Sequence, residues 1–190
     1  MILYGIVIFA GGFLVAALTS LWGKYPYLPT LAYTWLAIVL VVLFDAFVAT
    51  LCRSLPKKCA DPDKKIFAVS RKEKGVYEKM KIRKWKDKIP EIGHFTGFRK
   101  NKIADPKNIQ YLDRFLLENC YGEIVHFWSI WAGFLLLLGF RITPAWLALS
   151  IPVAIVNGIL NVLPIFVLRY NFYKLHILRN NLSKKKSVRL

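Results

Sequence analysis

Glu123 and His126 are the side chains of this sequence best placed for acid–base chemistry at a membrane. They open a long apolar run and, three residues apart, share one face of a helix. Placing a carboxylate and an imidazole where lipid begins is costly unless they are used. An imidazole has an ordinary pKa of about 6.5, so His126 can accept a proton at cytosolic pH. The pair predicts a catalytic site at a membrane surface.

Further polar residues are spaced so that they reach the same depth. Asn119 precedes Glu123 by four residues, and a second stripe follows multiples of four in the last apolar run: Asn157, Asn161 and Arg169. Because consecutive spans are antiparallel, the start of one and the end of the next share a membrane depth. We therefore expect Asn161 and Arg169 to meet Glu123 and His126.

Asp45 belongs to the same prediction, since it lies six residues before the end of the second apolar run, roughly 9 Å deep. Glu123 or Asp45 is expected to orient the His126 ring, while Asn161 and Arg169 are candidate oxyanion donors or substrate ligands. The alternative interpretation is that these polar residues only fix helix packing. The substrate-binding residues expected within or beside the spans are Asp45, Asn119, Asn157, Asn161 and Arg169.

The elements that must position these residues are membrane helices. Mean hydropathy is +0.40 and 56% of the 190 residues are apolar. About 20 helical residues cross a bilayer, and four apolar runs approach or exceed that length: 2–22, 31–51, 124–140 and 144–168. The sequence predicts an all-α integral membrane fold of four transmembrane helices in two hairpins. An amphipathic interfacial helix from Ile109 is expected to lead into the third span.

A single membrane domain, 1–190, is predicted, with hairpins at 1–51 and 123–170, a basic insert at 52–122 and a basic tail at 171–190. All 28 basic residues except Lys24 and Arg141 fall in the insert or after Leu168. Such residues stay on the cytoplasmic side, so we expect a multi-pass cell-membrane protein with both termini cytoplasmic. No recognition motif for nucleic acid accompanies the net charge of +17, which favours membrane lipids as partners instead.

A basic cluster in the insert has two interpretations. It can attract a negatively charged, phosphate-bearing cytosolic substrate, or it can anchor the insert to anionic lipid. His94, in a loop between Pro90 and Gly97, is either a second catalytic or substrate-binding group or an exposed loop histidine. The cluster runs from Lys79 and Lys81 to Lys88, and the substrate-binding residues expected in it are Arg83, Lys84, Trp85, Lys86 and Lys88.

Metal and thiol chemistry are not indicated by the sequence. Cys52, Cys59 and Cys120 form no C-x-x-C pair, and three histidines are too few for a di-iron membrane enzyme. We expect no metal site and no bound cofactor. Cys120 lies six residues from His126, so covalent catalysis through its thiol stays open. A reaction without a covalent enzyme intermediate is favoured.

Three motifs in order resemble the glycosyl-4,4'-diaponeurosporenoate acyltransferase family, over roughly Tyr77 to Leu175. They are Arg83-Lys84-Trp85-Lys86-Asp87-Lys88-Ile89-Pro90, then Glu118 with Glu123-Ile124-Val125-His126, then Asn161 with Arg169-Tyr170-Asn171. The resemblance departs after Asn171, where a basic, proline-containing sequence is expected. It implies small membrane enzymes that attach a fatty acyl chain to a sugar hydroxyl of a carotenoid glycoside. It also implies substrate-binding roles for Glu118, Tyr170 and Asn171.

With this resemblance, the sequence predicts a membrane acyltransferase whose activated donor is acyl-CoA or acyl carrier protein. Its expected acceptor is a glycolipid or a glycosylated terpenoid, in lipid metabolism or carotenoid biosynthesis. His126 and Glu123 are its expected catalytic residues. The rival interpretation is a non-catalytic lipid-binding, lipid-translocating or adaptor membrane protein, in which the same polar residues shield a headgroup.

Overall fold

The protein is described from a computed structural model, which covers residues 2–89, 103–140 and 143–187. Within those ranges the secondary structure is helical and contains no strand. Four long helices dominate: α1 (Ile2–Gly23), α2 (Tyr27–Arg53), α5 (Ile109–Gly139) and α6 (Trp146–Ser187). Between α2 and α5 lie the short helices α3 (Arg71–Lys79) and α4 (Ile82–Trp85), with 3₁₀ turns at Lys57–Ala60 and Lys86–Lys88.

Each long helix is long and apolar enough to cross a membrane. Large apolar side chains remain exposed along them; on α6, Ile151, Ile155 and Ile159 are each about half exposed and recur every four residues. A helix face of this kind suits lipid rather than water. With 42 residues, α6 extends roughly 63 Å, about twice the thickness of a hydrocarbon core. Much of α6 therefore has to lie outside that core.

The chain divides into two compact units. Unit 1 comprises Met1–Arg53 and Val125–Val162, and unit 2 comprises Ser54–Ile124 and Leu163–Leu190. Both α5 and α6 contribute a segment to each unit.

Unit 1 is held by close helix packing around small side chains. Gly12 of α1 leaves room for Trp35 and Ile38 of α2, where a Cβ atom would come within 3.0 Å of Ile38. The fully buried Trp146 at the start of α6 donates its indole N–H to the Leu137 carbonyl at the end of α5, at 2.6 Å. Backbone carbonyls near helix ends lack intrahelical partners, so this bond both satisfies one and fixes how α6 begins.

Unit 2 has its own apolar core, in which residues of the insert pack with α5 and α6. Phe67 from the insert, Leu116 from α5 and Phe172 from α6 belong to one buried cluster. Two polar side chains tie this cluster to backbone: Tyr121 donates to the Leu55 carbonyl at 2.7 Å, and Asn119 donates to the Leu168 carbonyl at 3.1 Å. The start of α5 is thereby fixed to both the insert and α6.

The predicted all-helical fold with four potential spans is confirmed. The interfacial helix expected from Ile109 proves continuous with the third span, because α5 runs unbroken from Ile109 to Gly139. The predicted tail after 170 is likewise part of α6, which continues to Ser187 and passes through Pro152 and Pro164. The pairing into two hairpins, the cytoplasmic insert and the orientation of the termini stay predictions.

Candidate active site

In unit 1, His126 of α5 contacts α6 through one hydrogen bond. Its Nδ1 atom lies 2.9 Å from Oδ1 of Asn161. The asparagine is buried and the histidine half-buried. The predicted meeting of His126 and Asn161 is therefore present, and the contact is between side chains thirty-five positions apart in the sequence.

The amide orientation of Asn161 follows from its other neighbours. Nδ2 faces three acceptors: the Asp45 carboxylate at 3.3 Å, the Asn157 backbone carbonyl at 3.1 Å and the Asn157 side-chain oxygen at 3.0 Å. An amide nitrogen donates and never accepts, so Oδ1 is the atom that faces His126. The histidine Nδ1 must then carry the proton. In the neutral ring, Nε2 keeps a lone pair.

A second amide supports this arrangement from behind. Asn157 of α6 donates from Nδ2 to the Ser129 carbonyl of α5 at 3.3 Å, which leaves its Oδ1 to accept from Asn161. Gly133 makes the approach possible, since a Cβ atom there would lie 2.5 Å from the Asn157 Nδ2 atom. The glycine is thus a steric requirement of the hydrogen-bond chain Asp45–Asn161–His126.

Asp45 of α2 also belongs to the polar group of unit 1. The sequence predicts that either Glu123 or Asp45 orients the imidazole, but Asp45 contacts Asn161. Its Oδ2 accepts from Asn161, while its Oδ1 is buried and has no hydrogen-bond partner among the described residues. A buried acceptor without a partner costs about 1–3 kcal/mol. Such an atom is suited to receive a hydroxyl group from a ligand.

In unit 2, Arg169 of α6 forms an ion-pair cluster with two carboxylates. Its Nε and Nη2 atoms contact the two oxygens of Glu73 at 2.5 and 3.1 Å, and Nη1 contacts Glu123 at 2.5 Å. The backbone carbonyls of Ile66 and Ala68 accept its remaining hydrogens at 3.3 and 3.4 Å. All five guanidinium donors are therefore engaged. The predicted contact between Glu123 and Arg169 is present, and Glu123 Oε2 is buried with no partner in the described chain.

Glu73 and Tyr77 of α3 belong to this cluster and were missed by the sequence interpretation. The Tyr77 hydroxyl donates to Glu73 at 2.5 Å. Burial opposes ionisation of Glu73, but hydrogen bonds from Arg169 and Tyr77 and the arginine charge outweigh it and lower the pKa of the carboxyl. Burial, then the hydrogen bond to Glu73, raises the pKa of Tyr77 to about 12.

A signal for this element was present in the sequence. Ser70 followed by Glu73 is the capping-box pattern, and the Ser70 hydroxyl does accept from the Glu73 backbone N–H at 3.1 Å. Tyr77, four residues on, then lies on the same helix face as Glu73. The pattern predicts where α3 begins and the intrahelical contact, although it does not reveal Arg169 as the partner.

The other predicted residues of α5 and α6 in unit 2 lie within packed helices. Asn119 is buried with its carboxamide on the Leu168 carbonyl. Tyr170 is buried and its hydroxyl accepts from Lys174 at 2.8 Å. Asn171 is also buried, and Glu118 is half-buried. Their predicted contacts with substrate stay predictions.

The basic cluster is mostly on the surface of unit 2. Arg83, Lys84 and Lys88 are exposed and Lys86 is half-exposed. Trp85 donates its indole N–H to the Met80 carbonyl at 3.0 Å, which fixes the ring against its own turn. His94 lies outside the described residues. Across the described ranges, no three His, Cys, Asp or Glu side chains are grouped to hold a metal ion.

Comparison with known proteins identifies the family. A model of the glycosyl-4,4'-diaponeurosporenoate acyltransferase family matches residues 63–181, which is more than half of the chain. The chain belongs to this family. No match was found among curated proteins or among solved structures. The resemblance predicted from three motifs is thereby confirmed, and the match begins early enough to include Glu73 as well, whereas α1 and α2, with Asp45, lie outside it.

Proposed function

We propose that this member of the family is a membrane enzyme that transfers a fatty acyl chain from an activated thioester donor to a sugar hydroxyl of a glycosylated lipid. Family membership supports the reaction class. The observation that carries the mechanism is the orientation of Asn161, which directs the proton of His126 to Nδ1 and leaves Nε2 as the base.

The proposed step is direct transfer. Nε2 of His126 takes the proton of the sugar hydroxyl while the oxygen attacks the thioester carbonyl. The tetrahedral intermediate collapses as the carbon–sulfur bond breaks. The imidazolium returns the proton to the departing sulfur, which leaves as a thiol. Asn161 holds the ring and accepts from Nδ1–H throughout. Cys120 in unit 2 is fully buried, which disfavours a covalent acyl-enzyme formed at that thiol.

Asp45 has two proposed roles through its two oxygens. Oδ2 holds Asn161 in its working orientation, as the third member of a hydrolase triad holds its histidine. Oδ1 is proposed to accept from a second hydroxyl of the acceptor sugar, since an alcohol would satisfy the unpaired atom. Both hydrogens of the Asn161 amide already face acceptors, which disfavours the oxyanion role predicted for this residue. That role stays a prediction.

Unit 2 is proposed to hold the donor-recruiting segment in place. Arg169 connects α6 to α3 through Glu73, and the exposed basic side chains of α4 follow directly in the chain. Exposed lysine and arginine attract the phosphates of acyl-CoA or the acidic surface of acyl carrier protein. In this proposal Glu123 positions Arg169, and the basic insert and both termini face the cytoplasm, where such donors are found.

The test is product formation by purified protein in lipid vesicles. Labelled acyl-CoA or acyl carrier protein is supplied with a panel of glycolipids and glycosylated terpenoids, and both acylated product and released thiol are measured. The proposal predicts both, in equal amounts. Binding of lipid by a folded protein without release of thiol from any donor would instead favour the lipid-binding, translocating or adaptor alternative.

A further inference from the structure

Unit 1 contains an open apolar groove between α1, α2 and α6. Valine, isoleucine and leucine side chains form most of its wall, and Asn157 is the single polar residue among the described lining residues. Because β-branched side chains are stiff at χ1, the wall has a defined shape.

Two adjacent glycines of α1 leave this space open. Gly12 faces α2, and its missing side chain allows the close contact with Ile38 described above. Gly11 lines the groove, and a Cβ atom added there would meet nothing within 4 Å. The absent side chain of Gly11 therefore contributes to the void and plays no part in the helix contact.

The polar end of the groove is linked to the proposed base. Asn157 lines the groove and accepts from Asn161 at 3.0 Å, and Asn161 in turn lies 2.9 Å from His126. Two hydrogen bonds thus connect the groove wall to the imidazole, all within unit 1. A hydrocarbon chain in the groove would have one end near His126.

The dimensions fit a single acyl chain. The lining residues of α1 run from Val7 to Val15, a rise of roughly 12 Å. One leaflet of a bilayer, which is about one acyl chain deep, is roughly 15 Å of hydrocarbon. The groove is therefore comparable in length with most of one fatty acyl chain.

We infer that this groove binds the fatty acyl chain of the donor and limits its length. The inference rests on the proposed function and names the substrate subsite of that same reaction. In the donor, the reacting carbonyl carbon is bonded directly to the hydrocarbon tail. In a glycosylated acceptor, a sugar ring separates the reacting hydroxyl from the apolar part. The apolar space that begins beside the base thus suits the donor's tail.

Gly11 provides a sharp test, and Gly5 is its matched control. Both glycines lie on α1, and a Cβ atom added at either would meet nothing within 4 Å, but Gly5 does not line the groove. Gly11→Leu should shift transfer toward shorter acyl chains. Each methylene excluded from an apolar site costs about 4-fold, so the long-to-short ratio of kcat/KM should fall by about 10-fold or more. Gly5→Leu should leave the ratio unchanged.

A second measurement is independent of turnover. An acyl-CoA with a diazirine at the end of its chain is photolysed with the protein in phosphatidylcholine–phosphatidylglycerol vesicles, and labelled peptides are identified by mass spectrometry. We expect labels on the groove segments of α1, α2 or α6, competed by unlabelled acyl-CoA, and lost in Gly11→Leu but retained in Gly5→Leu.

The outcomes separate the two proposals. Absence of wild-type turnover with competed labelling in the groove would contradict the proposed function and support the subsite. Turnover with an unchanged chain-length ratio in Gly11→Leu would overturn the subsite alone. Labelling elsewhere in the chain would also overturn the subsite, as would groove labelling that unlabelled acyl-CoA does not reduce, since that result assigns the groove to bilayer lipid.

Discussion

Removal of the Arg169 guanidinium should destabilise unit 2 far more than removal of an exposed ion pair. Arg169 is 16% exposed and its partners Glu123 and Glu73 are 14% and 27% exposed. Arg169→Met leaves two carboxylates facing each other without their cation. Loss of one partner of a buried pair costs about 3–5 kcal/mol. Because Glu73 is partly solvated, we expect the lower end, about 3 kcal/mol.

The assay is the free energy of unfolding in detergent micelles, followed by circular dichroism against denaturant. Arg169→Lys keeps the charge but loses the planar fork that grips both Glu73 oxygens, so an intermediate loss is expected. Glu78→Gln is the control, because Glu78 pairs with Lys74 at 3.1 Å on an exposed helix face. That pair should be worth less than about 0.5 kcal/mol. A loss in Arg169→Met no greater than in Glu78→Gln would refute the ion-pair cluster.

Three further predictions concern Tyr77, Gly133 and Cys120. Burial and the neighbouring carboxylate raise the pKa of Tyr77 to about 12, so its neutral hydroxyl contributes stability that is fully present below pH 10. The free energy of unfolding should therefore fall as the pH rises from 10 to 12. The same fall with pH in Tyr77→Phe would contradict this. Gly133→Ala should displace Asn157 and lower kcat by about 10-fold, which corresponds to the loss of one buried hydrogen bond. The control is Gly158→Ala, whose Cβ atom would lie 3.5 Å from the Phe134 ring, and it should retain activity in the same assay. Cys120→Ala should keep turnover within a few-fold, and complete loss in a folded variant would indicate an acyl-enzyme.

The long helices were predictable because a bilayer imposes a simple requirement on sequence. About twenty apolar residues in succession must form a helix that satisfies its own backbone, and α1, α2, α5 and α6 contain such runs. The ends of α5 and α6 were less predictable. Polar segments such as the one after Arg169 continue a helix when no residue breaks it, so the membrane boundary is not a helix boundary.

The candidate site was predictable in part for a similar reason. Helical spacing, with an expected antiparallel connection, was enough to predict the contacts of His126 with Asn161 and of Glu123 with Arg169. Spacing could not show which carboxylate reaches which partner, because that depends on helix rotation. Asp45 contacts an amide in place of the expected imidazole. Glu73 comes from a short helix in the polar insert and has no apolar periodicity that would relate it to α6.

The central claim is that His126 is the general base and that Asn161 orients it. The most direct measurement is the single-turnover rate of acyl transfer by wild type, His126→Ala, Asn161→Ala and the control His176→Ala, each checked for folding. We expect a loss of about 10²–10⁴-fold for His126→Ala. For Asn161→Ala we expect about 10-fold, the worth of one orienting hydrogen bond, and little change is expected for His176→Ala. A His126→Ala rate equal to that of wild type would contradict the account.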